Sequence, residues 1–184
     1  GAANSYLGFA YLTRAYEETA QKQTHLTEAL TALEKVKGYQ LVKDYVSMFD
    51  GTNKNSTEAI FERQFSDNSA NGAFYRTALH YWMAASELGG WDEILPTTML
   101  MNEFKKEGKI ATTGNYDSRL YNTIFFKDPY FNDAANPRIF GETYDDKFGA
   151  TDKPVFRKHL PSTQEKMDAE FTGLNVPLMR YSNV

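Results

Sequence analysis

The chain has 184 residues, 41% of them hydrophobic and 15% aromatic, which is enough for one compact core or two small lobes. A formal charge of −4 with both signs interspersed excludes the one-sided basic face of a nucleic-acid binder, and the lack of cysteine excludes disulfides, thiolate zinc sites and a thiol nucleophile. No stretch reaches the roughly 20 apolar residues of a membrane-spanning helix, and Gly1-Ala2-Ala3 lacks the charged and apolar regions of a signal peptide.

Over residues 5–20, Leu7, Ala10, Tyr11 and Ala15 share one helical face, flanked by Phe9, Leu12 and Tyr16. A polar break at 21–24 follows. Leu26, Ala29, Leu30 and Leu33 then repeat the helical spacing until Gly38, a natural residue just past a helix end. Two helices with so short a connection are expected to pack antiparallel. Leu7-Gly8-x-x-Tyr11 with Ala29, Leu33 and Val36 resembles a tetratricopeptide unit, in which the glycine admits the partner helix closely. A lone repeat cannot bury its own face, so the pair needs neighbours. The chain opens inside a helical pattern and closes on Met179-Arg180-Tyr181-Ser182-Asn183-Val184 without a stop signal, and reads as a piece of a longer protein.

Beyond Gly38, residues 44–49 predict a short helical turn with Tyr45 and Phe49 one turn apart, ended by Asp50-Gly51. Residues 58–65 predict a strand from their β-branched and aromatic content, and 67–72 a loop. Tyr75, Ala78, Leu79, Trp82, Met83 and Ser86 trace a helical stripe ended by Gly89, which places Trp82 in the interior. A further helix starts at Thr97 or Thr98 behind Pro96, carries Leu100 and Phe104 on one face, and closes at Gly108. Residues 120–126 and 155–159 read as strands. The interval between them, rich in Asn, Asp, Gly and Pro, reads as a long functional or mobile loop.

Gly89-Gly90-Trp91 says most about function, because paired glycines relax backbone sterics and let the next indole be held at an unusual angle. The expected ligand-binding residues are Trp91, Tyr75, Trp82 and Tyr130, with Phe74 and Phe131 as companions; a structural role is the plain alternative for each. Asp92, Glu93 and Asp117 are the carboxylates nearest to a hydrolytic arrangement, but nothing pairs two of them across one bond, and Asp92-Glu93 reads as a solvated tip. His25, His80 and His159 lie far apart without a ligand-type partner at i+4, and read as surface or half-buried imidazoles. There is no phosphate-cradling glycine loop, nucleophile elbow or calcium-loop pattern. The reading is therefore of a chain with no cofactor and no catalytic residue that holds a ligand without converting it; a structural calcium ion on loop carbonyls is left open.

The order of landmarks is similar to the central and later part of the SusD/RagB family. They run from the tetratricopeptide-like pair through Gly38-Tyr39-Gln40-Leu41, Asp44-Tyr45 to Phe49, and Thr57-Glu58-Ala59-Ile60-Phe61-Glu62. They continue with Gly89-Gly90-Trp91, Leu95-Pro96-Thr97, Phe104, Tyr116-Asp117-Ser118-Arg119-Leu120 and Asn175-Val176-Pro177-Leu178-Met179-Arg180-Tyr181. The resemblance implies a mainly α fold: a helix pair at 1–38, then a loop-rich ligand-binding region with minor β-strands at 39–184, truncated at its C-terminus.

It further implies an outer-membrane lipoprotein of Bacteroidetes, on the extracellular face, that takes part in polysaccharide utilization and nutrient uptake. Such a protein binds carbohydrate or other nutrients and delivers them to a SusC-like TonB-dependent transporter. The family's lipid-bearing N-terminal Cys, its earlier repeats and the amphipathic helix after Arg180-Tyr181 are not in this sequence. The rival reading is a helical-repeat module for protein–protein interaction, with no small ligand, docking its partner on a face around Tyr6, Tyr11 and Leu33.

Overall fold

Helix α1 (Ala2–Glu17) and helix α2 (Lys22–Leu33) run antiparallel through a short 3-10 turn at Thr19–Gln21, in a computed structural model that describes residues 1–68 and 75–184. The expected loop at 67–72 lies outside the described residues from Ser69 onward, as does Phe74. The architecture is mainly helical with minor strands, and the chain divides into two compact units. The first comprises Gly1–Lys43, Asn55–Arg63 and Val176–Val184; the second comprises Asp44–Lys54 and Gln64–Asn175.

In the first unit the face that α1 buries is Ser5, Gly8 and Ala15, whereas Leu7 and Ala10 are exposed, against the expected stripe. Small residues win this face because they let the two backbones approach. A Cβ on Gly8 would overlap the Leu33 side chain, and the Ala29 carbonyl is in contact just behind it. Helix α2 answers with Ala29 and Ala32 buried and Leu30 exposed, and its first turn takes up the stretch expected as a polar break.

His25 is buried rather than at the surface, and both ring nitrogens face carboxylates: Nδ1 is 2.9 Å from Glu28 and Nε2 is 3.0 Å from Glu18. A neutral imidazole has one N–H, so only the imidazolium donates to both. Glu28 and then Glu18 raise the pKa of His25. Glu18, also gripped by Arg14 at 3.0 Å, is held down to about 2, by Arg14 first and His25 second.

Strand β1 (Ala59–Arg63) falls inside the predicted strand. It pairs antiparallel with a later strand, Val176–Arg180, from Ala59 opposite Arg180 to Arg63 opposite Val176, with irregular register around Phe61. Glu58, just before β1, is buried but satisfied: its carboxylate accepts from the Val42 N–H at 2.9 Å and from Arg180 at 3.3 Å.

The second unit contains α3 (Leu79–Met83), α4 (Thr98–Lys105), α5 (Ser118–Thr123), β2 (Ile124–Phe125), α6 (Tyr144–Phe148), β3 (Val155–Phe156) and α7 (Gln164–Met167). The remaining strand of the first unit is then β4 (Val176–Arg180). Thr97 caps α4 by accepting from the Leu100 N–H, close to the predicted start. Only the end of the predicted strand at 120–126 is strand. Asp117 caps a helix ahead of it, accepting from the Arg119 N–H, and two residues remain to pair with β3.

The interval between β2 and β3 is not a loop apart from the fold: Phe131, Ile139 and Tyr144 are fully buried in the core with Leu120, Ile124 and Met167. Polar side chains make this possible by satisfying an irregular backbone. Asp128 accepts from the Tyr130 N–H, Asp133 from that of Ala135 and Asn132 from that of Asp145, while Thr143 and Asp146 form a capping box for α6.

The two ends of the long segment are stitched together. Asn175 accepts from the Phe65 N–H and donates to Gln64, both at 2.9 Å; the Gly173 N–H donates to Asp67; Thr77 and Thr172 exchange both backbone bonds at 2.8 and 2.9 Å.

Two outcomes follow. NMR titration is expected to give His25 a pKa above 6.5, its ordinary value. Because that value is raised on folding, the stabilisation is full below the unfolded pKa and fades as pH rises through the folded one. A denaturant series should therefore find the parent, but not His25→Gln, losing stability across that window. Asn175→Ala should cost about 1–3 kcal/mol, read from urea midpoints, because it removes the acceptor of the Phe65 N–H and the donor to Gln64.

Candidate functional site

Helix α3 is pinned from one side by residues near the end of α7. His80 is fully buried and its Nε2 donates to the Ala169 carbonyl at 2.8 Å, while the Tyr81 hydroxyl donates to the Asp168 carbonyl at 3.0 Å. Burial pushes the His80 pKa down, so the ring is neutral and serves as an anchor, not the surface or half-buried imidazole expected.

The predicted helix over 75–86 stops at Met83. Ala84 and Ala85 are extended and buried, Ser86–Leu88 form a 3-10 turn, and Gly89 follows at φ +88°. The chain then doubles back over itself: Gly90 N–H donates to Ala85 at 3.0 Å, Trp91 N–H to Tyr81 at 2.9 Å and Asp92 N–H to Ala84 at 3.2 Å. The two glycines have different tasks. Gly89 supplies the left-handed turn, and Gly90 lies so close to the Ala84 carbonyl that a Cβ would overlap it.

Lys153 fastens the turn, donating to Glu87 at 2.9 and 3.0 Å and to Asp92 at 3.1 Å. The Ser86 hydroxyl first, and Lys153 after it, hold the Asp92 carboxyl below its usual range. Asp117 is likewise lowered, by the Arg119 guanidinium that grips both its oxygens at 2.6 to 3.1 Å.

This backbone brings Trp91 edge-to-face onto Trp82, with ring centroids 5.1 Å apart at 81°, and against Tyr81 at 5.4 Å. Trp82 is 46% exposed and Trp91 44%, so Trp82 is not an interior residue. Within the same stretch it is His80, Ala84, Ala85 and Leu88 that are buried, and helix α3 ends one residue after Trp82. Two indoles meeting at a right angle offer flat apolar surface of the kind that lies against the C–H face of a ring-shaped ligand.

The other two expected residues lie elsewhere. Tyr75 is 53% exposed and makes no ring contact among the described residues. Tyr130 packs on Tyr121 at 4.5 Å and Phe131 at 5.0 Å, with the Arg138 guanidinium 4.4 Å from its centroid. Tyr81 went unnoticed in the sequence, since only the backbone reversal at Gly90 sets it beside Trp91. Among the described residues no group of three His, Cys, Asp or Glu side chains is placed to hold a metal ion.

Among solved structures, the chain is similar to a SusD superfamily protein from Bacteroides vulgatus, with a TM-score of 0.70 and 26% identity over the whole of this chain. It spans 36% of that protein's length. No family model matches the sequence, and no curated protein does. The chain has a SusD-like fold, in agreement with the order of its motifs.

Substituting the two glycines should separate their roles. Gly90→Ala is expected to destabilise by about 1–3 kcal/mol through overlap with Ala84 and to shift tryptophan emission. Gly89→Ala, with open space around it, should cost only about 1 kcal/mol of backbone strain. Urea melts followed by fluorescence read both.

Proposed function

We propose that this chain belongs to a non-catalytic protein that binds extracellular nutrients, with glycans as the ligand class, and delivers them to a SusC-like TonB-dependent transporter. It works at the extracellular face of the outer membrane, held there by an N-terminal lipid; no described helix is long and apolar enough to cross a membrane. Residues 1–38 are the helix pair and 39–184 the ligand-binding region. Trp91 and Trp82 stack on sugar rings, while Tyr75 and Tyr130, which lie apart from that pair, are separate ligand contacts.

The observation that carries this reading is the exposed Trp82–Trp91 pair, fixed by a fastened turn within a SusD-like fold. A soluble domain gains nothing from leaving two indoles in water unless something covers them. Two of the candidate carboxylates do not suit the proton donor of a hydrolase. A glycosidase needs one acid whose pKa is raised so that it carries a proton, and Asp92 and Asp117 are both shifted the other way. An open platform also suits handover, because shallow contacts keep dissociation fast.

Titration with neutral oligosaccharides, followed by tryptophan fluorescence and calorimetry, tests the platform. Trp91→Ala should lose about tenfold or more in affinity, and Trp82→Ala a similar factor, with the saccharide recovered intact. Unchanged affinity in both variants removes the pair from the site, and cleavage of the saccharide removes the non-catalytic reading.

A further inference from the structure

A second cleft in the same unit, of about 320 Å3, is lined by Asn115, Tyr116, Ser118, Tyr121, Asn122 and Tyr130 among others. Its walls are held by one buried carboxylate. Asp128 accepts from the Tyr130 N–H at 2.9 Å, the Tyr121 hydroxyl at 3.4 Å and Lys109 at 3.3 Å. The Tyr121 hydroxyl in turn accepts from the Tyr116 N–H at 3.2 Å, so Asp128 and Tyr121 together fix all three tyrosines.

Cations brace the outer two rings. Lys105 and Lys109 lie 5.6 and 5.1 Å from the Tyr116 centroid and Arg138 lies 4.4 Å from that of Tyr130; none of the three lines the cleft. Among the described residues the only charged one lining the cleft is Asp117, which is paired with Arg119. Meanwhile the Tyr116 and Tyr130 hydroxyls, the Asn115 amide and the Ser118 hydroxyl have no hydrogen-bond partner among the described residues. Their atoms are both donors and acceptors.

We infer that this cleft is a second carbohydrate subsite that takes one neutral pyranose unit. The inference rests on the glycan-binding reading above. Braced aromatic walls meet the C–H face of such a ring, unspent amide and hydroxyl groups meet its equatorial hydroxyls, and a charge-neutral lining favours an uncharged sugar over an acidic one. At about 320 Å3 the cleft lies at the small end of ligand sites.

The test uses the full chain, 15N-labelled, with gluco-, manno-, galacto- and xylo-oligosaccharides and with oligoglucuronate as the charged control. A neutral saccharide should shift the Asn115 and Asn122 side-chain amides and the Tyr130 backbone amide. Asn115→Ala, which breaks no side-chain hydrogen bond among the described residues, should weaken that saccharide about tenfold without changing the thermal midpoint. Tyr130→Phe should weaken it less than Tyr130→Leu does. If a saccharide binds with dependence on Trp91 while the cleft amides and the Asn115→Ala affinity stay unmoved, the subsite is overturned and the platform reading stands. Preference for oligoglucuronate at the same amides overturns the neutral ligand class. Absence of binding by every saccharide overturns both readings together.

Discussion

A short seam of hydrogen bonds, begun by one amide side chain, closes the second unit. Asn175 holds the backbone N–H of Phe65 and the amide of Gln64, groups 110 and 111 residues away, and so joins the two ends of the segment that carries the aromatic surfaces. Closing so long a loop costs entropy, but the cost grows only slowly with length, so a few satisfied bonds at the neck suffice. The Thr77–Thr172 exchange continues the seam, and the carbonyls of Asp168 and Ala169 then receive Tyr81 and His80. The orientation of α3, and with it the direction of Trp82, descends from that seam.

Irregular backbone does not imply loose backbone here. Between β2 and β3 the chain buries Phe131, Ile139 and Tyr144 while Asp128, Asn132 and Asp133 supply the hydrogen bonds that a helix or sheet would otherwise provide. Both aromatic surfaces combine helical and irregular backbone: Trp82 and Tyr121 stand on α3 and α5, Trp91, Tyr116 and Tyr130 outside them. Each is braced by a buried polar group, His80 behind the tryptophan pair and Asp128 behind the tyrosine cleft. Rings fixed in advance lose little conformational freedom in any contact they make.

The ionisable groups point in one direction. Asp92, Asp117 and Asp133 are each held below the ordinary carboxylate range by neighbouring donors, so they stay charged and act as fasteners. His25 is the counterpart in the first unit, a buried imidazole whose two ring nitrogens face Glu28 and Glu18 and tie the start of α2 to the end of α1.

Local chemistry was legible in the sequence wherever it acts within a few residues. The helix pair, the Thr97 cap, strand β1, the close approach at Gly8 and the turn at Gly89-Gly90 all follow from neighbours along the chain, and the ordered motifs carried the SusD-like fold. The faces did not. Periodicity put Leu7 and Ala10 toward α2 and Trp82 inside, because it weighs hydrophobicity and ignores how near two backbones come. Ser5, Gly8 and Ala15 won the helix interface by being small, and the reversal over Ala84 brought Trp91 onto a Trp82 that is half exposed. The burial of His25 and His80, the pairing of β1 with β4 and the meeting of Tyr116, Tyr121 and Tyr130 in one cleft were decided only in three dimensions. Each depends on which distant group arrives to satisfy a charge, a strand edge or a ring, and spacing along the chain carries no record of that.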